Sequence, residues 1–173
     1  MGERMSELEQ YRQEKDRFFR LSPQSPLEPE QKKNFAGLRY FPENPALVLT
    51  LPLERYAKPE AVQMQTSTGD VQDYRQVGQI RFEVNGEPAV LQVYESAYGG
   101  ELFLPFVDAT APEESYGAGR YLEPEMTGKD RVVVDFNLAY NPYCAYNDQW
   151  SCPIPPRENR IKVRIEAGEK KFK

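Results

Sequence analysis

The stretch that decides the fold is QIRFEVNGEPAVLQVY, at residues 79–94. Two runs of alternating apolar and polar residues, the pattern of half-buried strands, lie on either side of Asn85-Gly86. Asn-Gly suits both positions of a two-residue turn, so the stretch predicts a β-hairpin. The turn sets three cross-strand pairs: Val84 with Glu87, Phe82 with Ala89, and Ile80 with Leu91. Pro88 has no backbone N–H group, so we expect its strand to be an edge of the sheet at that point.

Further alternating segments flank this hairpin. The predicted strands are 47–52, 62–66, 101–106, 131–136 and 160–165. Pro52 favours an edge position for the first of them. No long helical segment interrupts this part of the chain, and Gly, Pro and Asn turns separate the strands. The expected fold is therefore mainly β, an antiparallel β-sandwich or a partly open barrel, with one or two helices at its N-terminus.

Residues 4–20 predict an amphipathic helix. Its apolar face carries four residues at helical spacing: Met5, Leu8, Tyr11 and Phe18. One-sided apolar stripes usually face a core, so the favoured interpretation is a helix that packs its aromatic end, Phe18-Phe19, onto the domain. A helix that binds a protein partner is the alternative.

A second, short helix is predicted to run to about residue 36, with Gly37 as its C-terminal cap. Its N-terminal pattern is Ser25 at the N-cap, Pro26 at the first helical position and Glu28 completing a capping box. Residues 1–37 would then form a helical segment that packs on a β domain of residues 38–173. We expect the whole chain, 1–173, to be a single domain.

The composition excludes several kinds of site. The 173 residues include no histidine, so Ser-His-Asp and Cys-His machinery and histidine-bound metals are impossible. Two cysteines cannot form a four-cysteine zinc site within one chain. A net charge of −5 argues against a nucleic-acid partner, and the lack of a long apolar run argues against a membrane span. The N-terminus is too polar for a secretory signal, so we expect a cytoplasmic protein, with cofactor and oligomeric state left open.

Polar and aromatic residues concentrate in three segments of the second half of the chain. They read FLPFVDAT (103–110), SYGAGRYL (115–122) and VVVDFNLAYNPYCAYNDQWSCPIPPREN (132–159). Together with FFRLSPQSPL (18–27), FAGLRYF (35–41) and AGEK (167–170), they strongly resemble a bacterial and archaeal family, domain of unknown function 1684. The resemblance extends over residues 11–170. It implies a single-domain bacterial protein and assigns no catalytic role to any residue.

A glycine-rich segment, Gly117-Ala118-Gly119-Arg120, is a candidate anion site. Backbone N–H groups of a glycine turn beside a guanidinium can cradle an anion. The segment has neither the spacing of a phosphate-binding loop nor the full dinucleotide fingerprint. The favoured interpretation of this segment is a tight turn that leads into a strand, with Arg120 paired to a carboxylate.

Asp135 and Asn137 lie two residues apart at the end of a valine-rich strand, so they are predicted to point to one face. Unpaired polar groups there would cost about 1–3 kcal/mol each, and Asp108 and Arg120 are candidate partners. A buried Asp135–Arg120 pair would be structural. An approach of Asp108 to Asp135 would instead raise the pKa of one carboxyl and produce a general acid or base. A bridging divalent cation is a third alternative, although structural pairing is favoured and no metal site is assigned.

Cys144 and Cys152 enclose a seven-residue loop. Three interpretations remain open: two buried inert thiols, a disulfide, or a redox or metal role. Buried thiols are favoured, because structural disulfides are rare in the reducing compartment expected for this chain.

A surplus of tyrosines accompanies these groups, and such rings either line a ligand pocket or cover the open end of a sheet sandwich. The favoured hypothesis is a small-ligand-binding module, with an anionic ligand held at Arg120. A histidine-free enzyme that uses Asp108 or Asp135 as acid or base, and a structural or protein-interaction domain, are the alternatives. The predicted ligand-binding residues are Asp108, Tyr116, Gly117, Gly119, Arg120, Asp135, Asn137, Tyr140, Asn141, Cys144 and Cys152.

Overall fold

The structure is a computed structural model that describes residues 6–172. Two α-helices come first, α1 (Glu7–Leu21) and α2 (Pro29–Lys33). The strands are β1 (Val48–Pro52), β2 (Glu54–Gln65), β3 (Val71–Val84), β4 (Glu87–Ser96), β5 (Leu102–Phe106), β6 (Arg120–Leu122), β7 (Glu125–Thr127) and β8 (Arg131–Asp135). Short 3₁₀ helices occupy Pro45–Leu47, Phe136–Leu138, Tyr143–Ala145 and Arg157–Asn159.

The strands form two open antiparallel sheets. Sheet I has the order β2-β3-β4-β5-β6, and sheet II has the order β1-β8-β7. Apolar side chains of both sheets meet in one core, so the sheets pack as layers and the predicted mainly β, sandwich-type fold is confirmed. The core includes Ile80, Phe82, Leu91, Val93, Leu104 and Phe106 from sheet I, and Val132 and Val134 from sheet II.

The predicted hairpin is confirmed in every pair that the turn sets, with β3 and β4 in that register. Asn85 and Gly86 have φ values of 52° and 84°, as a two-residue turn with left-handed residues requires. β5 pairs with β4 only at Tyr94 and Glu95. Among the described strands none covers the outer side of β4 at Pro88, so the predicted local edge is also confirmed.

A single side chain continues the connection between β4 and β5 where their pairing stops. Asn159 is completely buried. Its Oδ1 accepts a hydrogen bond from the Gln92 N–H at 2.7 Å, and its Nδ2 donates to the carbonyl groups of Gln92 at 2.9 Å and Pro105 at 2.8 Å. The amide of Asn159 therefore replaces part of a strand ladder.

The strand predicted at 160–165 is not formed, and this prediction is wrong. Val163 and Ile165 are buried, as the alternation indicates. The segment nevertheless bends, and its hydrogen bonds go mainly to the loop at 107–109 and to side chains. Alternation reports which side chains face the core, but a regular strand also needs a partner strand along its length.

The first helix is confirmed in its described part. α1 begins after Ser6, whose Oγ accepts a hydrogen bond from the Glu9 N–H at 3.1 Å and so caps the helix. The predicted start at residue 4 and the predicted apolar residue Met5 lie outside the described residues.

The inward face of α1 differs from the predicted one. Leu8 and Phe19 are buried, whereas Phe18 is 37% exposed and Tyr11 is 45% exposed. Phe19 lies about three helical turns after Leu8 and so points in nearly the same direction, while Phe18 is rotated away by most of a quarter turn. The Phe19 ring packs edge-on against Tyr146, with ring centroids 5.0 Å apart. These contacts attach the helix to the remainder of the molecule.

The second helix starts later and ends earlier than predicted. Glu28 is the N-cap, Pro29 is the first helical residue, and the Glu28 N–H donates to Gln31 Oε1 at 2.8 Å in a capping box. Ser25 instead donates from its Oγ to the carbonyl oxygen of Phe19 at 2.7 Å. The serine therefore satisfies the end of α1, and the predicted N-cap at Ser25 is wrong.

Candidate functional site

Asp108 and Arg120 form a buried ion pair. Each side chain is 1% exposed, and Arg120 Nη2 donates to Asp108 Oδ1 at 3.2 Å. Burial lowers the pKa of Arg120, and the charge of Asp108 opposes that change. β6 begins at Arg120, and all three residues of this strand are buried, so the strand places the guanidinium in the interior.

This ion pair holds the carboxy-terminal segment. Arg120 donates to the backbone carbonyl groups of Ile165 at 2.9 Å, Ala167, and Glu169 at 3.1 Å. Asp108 Oδ2 accepts the Ile165 N–H at 2.6 Å. Because the guanidinium is buried and both of its terminal nitrogen atoms donate to protein acceptors, it does not face a ligand from solvent, contrary to the predicted anion site.

The glycine turn before β6 serves close packing. Gly119 has a φ of +102°, and a Cβ at this position would lie 2.6 Å from the carbonyl oxygen of Phe106. Its N–H donates to the carbonyl oxygen of Tyr116 at 3.0 Å, inside the turn. Gly117 is exposed. The tight turn leading into a strand, which was the alternative to an anion cradle, describes this segment.

Asp135 and Asn137 pair with each other and are not part of the Arg120 network. Asp135 Oδ1 accepts from the backbone N–H and from Nδ2 of Asn137, both at 3.0 Å. Asn137 also exchanges hydrogen bonds with the backbone of Asn44, at 2.7 and 2.9 Å. The chain turns into a 3₁₀ helix directly after Asp135, so Asn137 no longer follows the strand direction. The predicted meeting of Asp135 with Asp108 or Arg120 is therefore not formed.

Asn141 belongs to a buried network beneath α1. Its N–H and the hydroxyl of Tyr146 both donate to Oε1 of Glu169, each at 3.0 Å. Lys15 of α1 forms an ion pair with the same carboxylate. Asn141 and Glu169 are each 2% exposed, so the network fixes α1 to the carboxy-terminal segment and leaves Asn141 inaccessible.

The two cysteines are neighbouring, buried free thiols. The Cys144 N–H donates to Cys152 Sγ at 3.3 Å, and the hydroxyl of Tyr116 lies 3.7 Å from Cys144 Sγ. Tyr121 packs against the pair. Three of the predicted site residues thus come together here, away from the Asp108–Arg120 pair.

An open cleft of about 670 Å³ lies between α1 and the residues that follow β6 and β8. Of the predicted ligand-binding residues, it contains Asp135 and Tyr140. Its lining combines carboxylates, tyrosine rings and leucines: Glu7, Leu8, Tyr11, Glu43, Leu122, Glu123, Asp135, Leu138 and Tyr140.

Glu123 and Tyr140 are linked within this cleft by a hydrogen bond from the phenol to the carboxylate. Partial burial raises the pKa of Glu123, and the hydrogen bond from Tyr140 opposes that effect. Burial also raises the pKa of Tyr140, as does its hydrogen bond to Glu123. The Lys15 ammonium lies 5.0 Å from the centre of the Tyr140 ring, so Tyr140 connects the cleft to the network beneath α1.

Two further findings concern metals and membranes. Within residues 6–172, no group of three or more His, Cys, Asp or Glu side chains is arranged to hold a metal ion. Neither α-helix of that range has the length and apolar character needed to cross a bilayer.

Sequence reasoning missed four carboxylates that belong to these sites: Glu7, Glu43, Glu123 and Glu169. Glu123 directly follows a fully buried strand, a position that indicates a polar group at the border of the core. Glu169 directly follows the buried residues Ala167 and Gly168 in the AGEK segment, which marks it as a charge that must be paired. No local pattern indicates Glu43, because only the fold brings it to the cleft.

Comparison with known proteins agrees with the resemblance seen in the sequence. No curated protein matches the chain. The chain is similar to an uncharacterized protein from gene locus rrnAC0354 of Haloarcula marismortui, known from a solution NMR structure. The two share 39% sequence identity and a TM-score of 0.71, over 94% of this chain and 91% of the other. The model of a family described as a protein of unknown function, DUF1684, matches residues 33–170, and the chain therefore belongs to the DUF1684 family.

Proposed function

We propose that this protein is a small-ligand-binding module whose binding site is the cleft beside α1, and that the ligand is an organic cation. The observation that carries this proposal is the lining of the cleft, where four carboxylates stand among tyrosine and leucine side chains. The volume of about 670 Å³ lies within the usual range for small-molecule pockets.

The charge of the cleft favours a cation over the anion expected from the sequence. Among the described residues that line it, none is Lys or Arg. Arg12 lies nearby: burial lowers its pKa, and the charges of Glu43 and Asp135 oppose this. Lys15 also lies near Glu123, but its ammonium is paired with Glu169. These two cations therefore offset only part of the four carboxylates. A cation with an apolar body would use the carboxylates for its charge and the rings of Tyr11 and Tyr140 for its body.

Three probes of one shape test the charge preference: phenethylamine, 2-phenylethanol and phenylacetate. Isothermal titration calorimetry of the full chain should show the largest dissociation constant for phenylacetate and the smallest for phenethylamine. We expect phenethylamine to bind about fivefold or more tightly than the alcohol, because carboxylates in a partly exposed cleft contribute on the order of 1 kcal/mol to a cation. Added salt should reduce that difference.

Glu43→Gln tests whether a cleft carboxylate binds the cation. Glu43 is exposed, so this substitution should not disturb the core. It should weaken phenethylamine binding and leave the alcohol unaffected. Glu60→Gln, an exposed carboxylate on β2 outside the cleft, is the control. Equal affinity for all three probes, or equal weakening by both variants, would contradict the proposal.

A further inference from the structure

The two cysteines of this chain lie side by side although seven residues separate them. Cys144 is in the 3₁₀ helix Tyr143–Ala145, and Cys152 follows the exposed end of the loop. The Cys144 N–H points at Cys152 Sγ, 3.3 Å away. Both cysteines also belong to one buried cluster with Tyr121. The Cys152 sulfur is therefore adjacent to the Cys144 backbone in the reduced protein.

The Cys152 end of this loop is fixed to the end of β2. The Cys152 N–H donates to Ser67 Oγ at 3.1 Å, and the Ser67 N–H donates to the Cys152 carbonyl oxygen at 2.9 Å. The Ile154 N–H donates to the carbonyl oxygen of Gln65 at 2.8 Å. A bond between the sulfur atoms would thus join two positions that the fold already holds together, with rotation of side chains as the main movement.

The surroundings of the two thiols differ. The pKa of Cys144 is lowered to about 6, first by the neighbouring Cys152 thiol and further by the hydroxyl groups of Tyr116 and Ser67, against the opposing effect of burial. The neighbouring Cys144 thiol and burial raise the pKa of Cys152. Cys144 is therefore the more acidic thiol of the pair, and the thiolate is the reactive form of a cysteine.

We propose that Cys144 and Cys152 are a redox-active thiol pair that a small hydroperoxide oxidises to a reversible disulfide. The Cys144 thiolate attacks one oxygen of the hydroperoxide; the O–O bond breaks, Cys144 becomes a sulfenic acid, and the other oxygen leaves as an alcohol, or as water when the oxidant is hydrogen peroxide. The Cys152 sulfur then attacks the Cys144 sulfur; the S–S bond forms, the S–O bond breaks and water leaves. Two thiols and one hydroperoxide give one disulfide, one water and one alcohol or second water.

The burial of the two cysteines limits the size of the oxidant that can reach the sulfur atoms. Each cysteine is 8% exposed, so a bulky disulfide has poor access to the sulfur atoms, whereas hydrogen peroxide is scarcely larger than water. The residues between the cysteines are mostly exposed from 148 to 151, which leaves the approach over the loop free of core packing. Tyr140 lines the acidic cleft and packs against the cysteine cluster, but neither cysteine lines the cleft. The two tests also use different readouts, so this proposal and the proposed function stand or fall independently.

The test treats the full reduced chain with hydrogen peroxide at neutral pH and follows the intact mass. We expect the loss of two hydrogens, a cross-linked peptide containing Cys144 and Cys152, and return to the starting mass with dithiothreitol. Trp150, the chain's only tryptophan, lies in the enclosed loop with its ring centroid 5.0 Å from that of Tyr143. Its fluorescence should therefore change together with the mass and recover on reduction.

Two variants identify the roles of the sulfur atoms. Oxidation of the Cys152→Ser variant should stop at the sulfenic acid of Cys144, which dimedone labels. Cys144→Ser should consume peroxide at least about tenfold more slowly than the natural chain, because the thiol that remains is poorly ionised. Far-ultraviolet circular dichroism establishes that each variant is folded, and the result on the natural chain stands even if one variant is not.

Three results would overturn the proposal. They are addition of oxygen to the natural chain without loss of two hydrogens, a disulfide that dithiothreitol does not reduce in the folded protein, and equal peroxide consumption by Cys144→Ser and Cys152→Ser. Oxidation by glutathione disulfide as fast as by hydrogen peroxide would contradict the selection of a small oxidant.

Discussion

At the scale of single residues, Arg120 shows how a charge can be part of a core. Removing a guanidinium from water is costly, and the protein offsets this with one carboxylate and three backbone carbonyl groups. The carbonyl groups belong to a segment that has no strand partner along its length. The guanidinium therefore supplies hydrogen bonds that these carbonyl groups would otherwise lack, and the carbonyl groups in turn stabilise the buried charge. Arg120 is therefore a structural residue in this fold.

Replacing Arg120 with methionine should unfold the protein at much lower urea concentration. The substitution leaves Asp108 buried without its counter-charge, and we expect a loss of about 3–5 kcal/mol in the free energy of unfolding. Arg81→Gln is the control, because Arg81 forms an exposed ion pair with Glu54 and its loss should leave the midpoint nearly unchanged. Similar midpoints for the two variants would show that Asp108 and Arg120 do not hold the carboxy-terminal segment.

At the scale of elements, two kinds of contact attach α1 to the rest of the molecule. Phe19 enters an aromatic cluster with Tyr146, and Lys15 pairs with the buried Glu169. The same helix forms one wall of the acidic cleft. Its packing therefore stabilises the molecule and shapes the proposed binding site. This favours the core-packing interpretation of the helix over the interpretation as a helix that binds a protein partner.

Phe19→Ala should remove much of this attachment. A completely buried phenylalanine replaced by alanine leaves a cavity, and the expected cost is about 3–5 kcal/mol in the free energy of unfolding. Leu21→Ala is the matched control on the same helix, because Leu21 is 69% exposed. Chemical unfolding followed by circular dichroism measures both. A loss below about 1 kcal/mol for Phe19→Ala would show that α1 is only weakly docked.

At the scale of the whole molecule, burial of tyrosine hydroxyls couples stability to high pH. Burial raises the pKa of Tyr40, Tyr121, Tyr140 and Tyr146. In the unfolded chain a tyrosine ionises near pH 10. The folded state therefore keeps protons that the unfolded state releases above that pH.

The sign of this coupling predicts unfolding in alkali. The stabilisation is fully present below about pH 10 and is lost as the pH rises further, by about 1.4 kcal/mol per pH unit for each tyrosine that stays protonated in the fold. Urea unfolding between about pH 9 and pH 11 should show this decline. Tyrosinate absorbance of these four tyrosines should appear together with the loss of circular dichroism. Full tyrosinate absorbance in a protein that is still folded would contradict the prediction.

Local chemistry of the sequence determined the hairpin, its register, the edge at Pro88 and the mainly β class. These follow from alternation and a two-residue turn, which act between residues close along the chain. Only the tertiary structure decided that Arg120 meets Asp108 rather than Asp135, and that residues 160–165 are held by side chains rather than by a strand. It also decided that Glu43, Glu123 and Asp135 share a cleft. These arrangements depend on contacts between distant segments, as in the hydrogen bond that joins Asp108 to Ile165 across 57 positions, and no local pattern encodes such contacts.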